Sequence, residues 1–337
     1  MATESPTALP GLPKHDGTPM PPTSVLRRRL RVRATQLHRF VQIIGHDPLT
    51  LLGFIIVVLA VSASIVIEAV PFFSQLILGH TISVLPYNPF ALSSATSQGP
   101  SAAHWLGTDR TGRDIFSLVM SAMPLDIGLG VGIAGFGLLV GGGLGLVAGY
   151  WDNPRTLGGL LSAGILRLTD VFLAMPTIVL TLAIATTLGP TLTTIFLALA
   201  ITWWPYYVRL VRAEVLAVKP QLFVAAARAA GVSERRILFR HVVRNLVEPV
   251  IEYYTLDIGS VIITFSTLLF IIPVTLTGVA EWGFLVSEYQ SFFLSLPWTV
   301  LAPGVAIFVT VLGFSLLGDG IQNALDPRAA TTVAPGR

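Results

Sequence analysis

Six stretches of this chain are long and apolar enough to cross a lipid bilayer, and that count limits its fold more than any other feature. The hydrocarbon core needs about 20 apolar residues in helical form. The windows lie near residues 49–70, 125–149, 160–188, 190–209, 248–274 and 297–318. With 53% hydrophobic and 12% charged residues, the 337-residue chain is too apolar to cover a soluble domain of its length. An all-α membrane protein with six transmembrane helices is expected. The first window is not a cleavable signal peptide, because a long Pro-rich polar segment precedes it.

Lys and Arg set the orientation. Arg27, Arg28, Arg29, Arg31, Arg33 and Arg39 precede the first window. Arg209, Arg212, Lys219, Arg228, Arg235, Arg236, Arg240 and Arg244 lie in or beside the loop between the fourth and fifth. The segment 275–296 has neither residue type, only Glu281 and Glu288. Both termini and the 210–247 loop are therefore expected in the cytosol, with loops 71–115 and 275–296 outside. Residues 1–24 are Pro-rich and expected to be disordered. Residues 25–47 form a basic segment, cytosolic or lying on anionic lipid. The transmembrane domain is placed at 48–320 and a cytosolic tail at 321–337.

Gly137, Gly141, Gly145 and Gly149 repeat every four residues in the second window. Such a stripe of small residues lets helix backbones approach closely in lipid. Charges within spans need partners or water. Arg167 and Asp170 are three apart and can pair on one helical face, and Asp257 is expected to face a wet cavity. Met175-Pro176 breaks its helix. Trp203 to Tyr207 form an aromatic anchor at a membrane boundary.

The cytosolic loop contains Lys219-Pro220-Gln221-Leu222-Phe223-Val224-Ala225-Ala226-Ala227-Arg228-Ala229-Ala230-Gly231-Val232-Ser233. Pro220 suits a first helical position, the alanines favour helix, Gly231 can close it, and Ser233 can cap the next. A self-contained helix there offers itself to a partner. No phosphate-binding G-x-x-x-x-G-K-[ST] motif is present, since Lys14 and Lys219 precede His15 and Pro220. The histidines lack metal-ligand spacing, and no G-x-S-x-G elbow occurs. The chain carries no cysteine, so disulfides and thiolate metal sites do not arise. Any energy input has to come through a partner.

Four ordered motifs carry a family resemblance. They are His104-Trp105-Leu106-Gly107-Thr108-Asp109-Arg110-Thr111-Gly112-Arg113-Asp114, Arg167 to Pro176, Phe223 to Asn245, and Leu317-Gly318-Asp319-Gly320 to Arg328. Glu281-Trp282-Gly283 adds a shorter match. Over roughly residues 40–328 the chain resembles the second permease subunit of binding-protein-dependent ABC importers of the dipeptide, oligopeptide and nickel class. The resemblance implies a type I importer permease fold whose 210–247 loop carries a coupling helix. It implies ATPase-coupling roles for Phe223, Ala225, Ala226, Ala227, Arg228, Gly231, Ser233 and Arg235. Two positions depart from the family pattern: Ala225 stands where an acid is usual, and Arg244 where a proline is usual.

By the same resemblance the chain is a non-catalytic subunit of a cytoplasmic (inner) membrane importer, binding no cofactor itself. Its implied partners are a homologous second permease, two ABC ATPase subunits that use ATP and magnesium, an extracytoplasmic binding protein and the lipid bilayer, with no nucleic acid. Asp170, Met175 and Asp257 are candidates for the translocation path. Asp109, Arg110, Arg113 and Asp114 are candidates for external docking, or for local capping and pairing. Peptides are the expected cargo, with oligosaccharides or nickel complexes as alternatives. A self-contained ion-coupled transporter using Asp170 and Asp257, or a non-transporting membrane scaffold, are the competing readings.

Overall fold

The computed structural model describes residues 47–325 except Pro273, Thr275 and Thr277. The expectations for residues 1–24, for the basic segment up to 46 and for the tail beyond 325 lie outside the described residues. All the regular elements described are helices.

Helix α1 (Pro48–Leu78) starts where Asp47 accepts the amides of Leu49 and Thr50, with Pro48 in the first helical position. It was expected to end before Pro71 but continues through it to Gly79, whose φ of +73° closes it. A proline is tolerated inside a long apolar span, although it leaves the carbonyl of Ile67, four residues back, without its helical donor; Ser74 Oγ donates to the carbonyl of Pro71 itself at 3.0 Å.

Helix α2 (Ile115–Phe136), a π-helical turn (Gly137–Gly142) and α3 (Gly143–Tyr150) form one 36-residue rod. It begins ten residues before the expected window, because Asp114 caps it by accepting the Ser117 amide at 2.8 Å. The third window is not one helix. Helix α4 (Leu157–Leu173) and α5 (Thr177–Leu188) meet at 84° across Met175-Pro176. Proline lacks the amide to continue the ladder and disfavours helix in the residue before it.

Helix α6 (Leu192–Val218) starts at a capping box in which Thr191 and Thr194 satisfy each other's amides. Helices α7 (Leu222–Ala229) and α8 (Glu234–Ile237) fill the next loop. A second π-turn (Leu238–Val242) leads into α9 (Val243–Ile271), then α10 (Trp282–Tyr289) and α11 (Pro297–Leu325). Among the described residues, five continuous rods are long and apolar enough to cross a membrane, and the bent α4–α5 pair makes a sixth candidate.

The glycine stripe shows how the rods pack. A Cβ on Gly137 would lie 2.8 Å from the Tyr207 ring, on Gly141 2.1 Å from Trp204 O, on Gly145 2.7 Å from Val208 O, and on Gly149 2.8 Å from Val215 Cβ. Gly137 and Gly141 both meet the Trp203–Tyr207 turn, Gly145 meets Val208 and Gly149 meets Val215, so the contacts advance along α6 and the two rods run parallel with backbones in contact. Parallel rods require the intervening α4–α5 pair to return the chain, and the pair therefore counts as a crossing.

Helices α1 and α11 are antiparallel: Gly320 abuts Thr50, Gly53 abuts Leu316, and Gly313 abuts Ile56. The described ends of the chain lie together. Leu118, Ile133, Leu199, Tyr207, Phe265, Leu268 and Trp282 fill the central core. Leu59, Ile77, Leu301 and Phe308 point outward from α1 and α11, as an apolar surface facing lipid would.

Candidate functional site

The loop between α6 and α9 packs against the ends of α3, α6 and α9. Val224 and Ile237 are fully buried with Tyr150, Val211, Val215, Leu238, Val242 and Leu246 in a cluster separate from the main core. Helix α7 starts later than expected: Gln221 is its N-cap, and Pro220 lies outside it in the preceding turn. Its end is a Schellman closure. The Gly231 amide donates to Arg228 O at 3.0 Å and the Val232 amide to Ala227 O at 3.1 Å, with Gly231 at φ +75°. Ala227 and Val232 both pack on the buried cluster, supplying the apolar contact that accompanies this motif. Ser233 occupies the N-cap of α8 as expected but its hydroxyl makes no capping bond.

One face of α7 is thus anchored through Val224, while Leu222, Phe223, Ala225, Ala226 and Arg228 are exposed. Arg228 does not stand free. Its Nε donates to Glu234 Oε1 at 2.7 Å, Glu234 also accepts from the Tyr150 hydroxyl, and the pairing holds the Arg228 guanidinium above its ordinary range. Lys219 Nζ donates to Tyr150 O at 2.9 Å and pairs with Asp152; this contact holds the Asp152 carboxyl below the usual range. These bonds tie the loop to the ends of α3 and α6. Arg235 is exposed, with no carboxylate within 4.0 Å among the described residues.

The intramembrane acids sit differently from the sequence expectation. Asp170 pairs with Arg209 of α6 at 2.9 Å, not with Arg167. Proximity on one helix was outweighed by a guanidinium reaching across from the neighbouring one. Asp257 does not open into a wide wet cavity: it is 5% exposed and accepts from Trp203 Nε1 at 2.8 Å and Tyr207 Oη at 2.7 Å. Trp203 and Tyr207 are accordingly bonded inside the bundle. Met175 is exposed at the α4–α5 bend. Asp170 and Asp257 both attach to the 203–209 segment of α6, from different sides.

On the opposite side of the membrane, residues 79–114 are organised around Asp109, which is 1% exposed. Its carboxylate accepts from the Thr111 and Arg113 amides, the Thr111 hydroxyl, Arg113 Nε at 2.6 Å and Tyr289 Oη at 2.9 Å. Burial pushes this carboxyl up, but the bonds from Arg113 and Thr111 outweigh it and hold it below the usual range. Arg113 also bonds Glu288 at 2.7 Å, joining the two loops. Asp114 caps α2 and lies 2.9 Å from His104 Nδ1. Of the four docking candidates, only Arg110 is exposed, its guanidinium 4.6 Å from the centre of the Phe292 ring.

Sequence reasoning missed a buried acidic pair. Asp126 of α2 accepts the Trp282 amide at 3.2 Å, and Glu281 accepts from Ser266 Oγ at 2.8 Å and the Phe284 amide at 2.6 Å. Trp282 Nε1 donates to Val119 O at 2.9 Å, seating the Glu281-Trp282-Gly283 corner deep in the bundle. The signal was present: Asp126 is a carboxylate inside an apolar window.

Residues 141–331 match the family described as binding-protein-dependent transport system inner membrane component. The dipeptide transport system permease protein DppC of Alkalihalophilus pseudofirmus is 40% identical over 231 residues, covering 68% of this chain and 74% of the relative. The probable D,D-dipeptide transport system permease protein DdpC of Escherichia coli K12 is 41% identical over 230 residues, covering 68% and 75%. The nickel transport system permease protein NikC of the same organism is 31% identical over 252 residues, covering 73% and 87%.

Proposed function

The chain belongs to the family of binding-protein-dependent transport system inner membrane components, and we propose from that premise that it forms half of a peptide translocation path driven by partner ATPases. Identities of 40% and 41% to dipeptide permeases against 31% to a nickel permease favour peptides as cargo. In this reading the chain pairs with a homologous second permease in the inner membrane, both termini cytosolic. Two ATPase subunits hydrolyse ATP with magnesium, and an extracytoplasmic binding protein delivers substrate. This subunit has no catalytic role. The path runs beside Asp170, Met175 and Asp257, and Arg110 with the rest of the external loop receives the binding protein.

The observation that carries the coupling role is helix α7: closed by a left-handed glycine, anchored by Val224 and tied to α3 and α6 through Lys219. Its exposed face of Phe223, Ala225 and Ala226 admits close docking by an ATPase groove, with Gly231, Ser233 and Arg235 shaping its far end. Movement of α7 would pull directly on α6, which carries the bonds to both Asp170 and Asp257.

The test is reconstitution of both permeases, the ATPases and the binding protein in liposomes, with dipeptide uptake and ATP hydrolysis read together. Wild type should couple the two. Gly231→Val places a β-branched residue at φ +75°, a strain of about 1–3 kcal/mol, and should lower uptake per ATP at least tenfold. Undiminished uptake and substrate-stimulated hydrolysis in that variant would overturn the coupling role, while uptake by this chain without ATPases would overturn the permease reading.

A further inference from the structure

A cavity of about 390 Å³ beside α7 is lined by Phe223, Arg240, His241, Arg244, Asn245 and Glu248. Its cations come from one side of the helix leading into α9, where Arg240 and Arg244 are four residues apart. Like charges at that spacing repel, and among the described residues no carboxylate lies within 4.0 Å of either guanidinium. Glu248 is the one acid in the lining, leaving the cavity net cationic by one charge. Exposed Arg235 and Arg236 just before it strengthen the field. Asn245 is held in place by donating to His241 O at 2.5 Å, and the Phe223 and His241 ring centres are 6.5 Å apart. The cavity is therefore a cationic recess with one aromatic wall taken from α7.

Helix length favours a protein over a lipid occupant. The rod Glu234–Ile271 has 38 residues, about 57 Å at about 1.5 Å per residue. A bilayer with its headgroups is about 40–45 Å thick. The Ile271 end is apolar and its Ser266 turn is packed against Gly283 and Glu281 inside the bundle, whereas the Glu234 end carries exposed Arg235 and Arg236, so the excess of about ten residues is placed at the Glu234 end. Arg240, His241 and Arg244 then stand at or beyond the headgroups, level with the exposed face of α7.

We propose that this recess is a socket for an acidic side chain of the partner ATPase, a second contact continuous with the docking face of α7. The proposal rests on the coupling reading above. It gives Arg244, where the family usually has proline, a positive role: it is one of the socket's two cations. Guanidinium forks bind carboxylates with directional paired bonds, and such pairs fix register as well as adding affinity.

The permease pair in nanodiscs of zwitterionic phosphatidylcholine is titrated with its purified ATPase subunits, using wild type, Arg240→Glu/Arg244→Glu, Arg240→Gln/Arg244→Gln and Gly231→Val. Charge reversal should weaken ATPase binding about tenfold at low salt, the glutamine pair less, with the gap to wild type narrowing as salt rises. An unchanged melting temperature separates this from misfolding, and if the reversed pair melts early the glutamine pair carries the test. Equal affinity of wild type and both arginine variants overturns the socket. So does a difference seen only in discs containing anionic phosphatidylglycerol, which assigns the recess to a lipid headgroup. Wild-type binding that is weakened by the arginine variants but with coupling untouched by Gly231→Val keeps the socket and removes the role of Gly231. No ATPase binding by wild type removes the coupling reading and the socket with it.

Discussion

Asp109 concentrates more polar contacts than any single sequence motif around it suggests. Five hydrogen bonds converge on a carboxylate that is 1% exposed, one of them from Tyr289, 180 residues away. Removing one partner of such a buried pair costs about 3–5 kcal/mol. Asp109→Ala should therefore release the external loop, read as faster amide exchange over residues 93–114, whereas Tyr289→Phe, losing one bond, should cost about 1 kcal/mol. The folded carboxyl lies below its ordinary value. Its stabilising contribution is complete above the unfolded value near 3.9 and is lost as pH falls through the folded one. Protection of the loop amides relative to their intrinsic exchange should be flat from pH 8 to about 5 and fall only below about pH 4; a fall centred near pH 6 would assign the change to another group. The Gly-Thr-Asp and Gly-Arg-Asp corners were legible as capping and pairing chemistry, but the partners Tyr289 and Glu288 were not. Nothing in local spacing reports a contact between loops so distant in the chain. Asp170 teaches the same lesson, since Arg167 was the near cation and Arg209 the real partner.

Elements were easier to read where a repeat had one physical meaning. The four-residue glycine spacing predicted a close-packing face, and that face is pressed against α6 from Trp203 to Val215. The identity of the opposing helix was not legible, because glycine specifies closeness without choosing a partner. The stripe makes a sharp contrast available. Gly141→Leu would force a side chain into space where even a Cβ lies 2.1 Å from Trp204 O, and should destabilise the bundle by about 3 kcal/mol or more. Gly143, two residues on, has nothing within 4 Å of its would-be Cβ, and Gly143→Ala should leave stability unchanged or raise it by up to about 1 kcal/mol. Thermal unfolding of the purified chain in detergent reads both; similar melting temperatures for the two variants would refute the packing assignment. The bend at Pro176 was legible as a break, but not as an 84° turn, since proline sets where a helix stops and packing sets where the chain goes next.

At the scale of the whole molecule, the number of crossings decides which side every loop faces. Two observations fix that number. The glycine stripe makes α2–α3 and α6 parallel, and Lys219 at the end of α6 bonds Tyr150 and Asp152 at the end of α3. Both rods therefore finish on one side, and α4–α5 has to carry the chain back between them despite its bend. A re-entrant α4–α5 would instead put the loop after α3 and the loop after α6 on opposite faces. The arginine content of the loop after α6 makes the cytosol the expected side for both ends. The absence of cysteine makes the test clean: single substitutions can be labelled on intact cells with an impermeant maleimide without background. Ala102→Cys and Leu294→Cys, both exposed, should label from outside. Asn153→Cys and Ser233→Cys should label only after the membrane is permeabilised. External labelling of Asn153→Cys together with protection of Ser233→Cys would mean that α4–α5 does not cross. Helix α7 would stay inside in that case, but the parallel packing of α3 on α6 could not hold, and the route by which α7 pulls on the bundle would have to be redrawn.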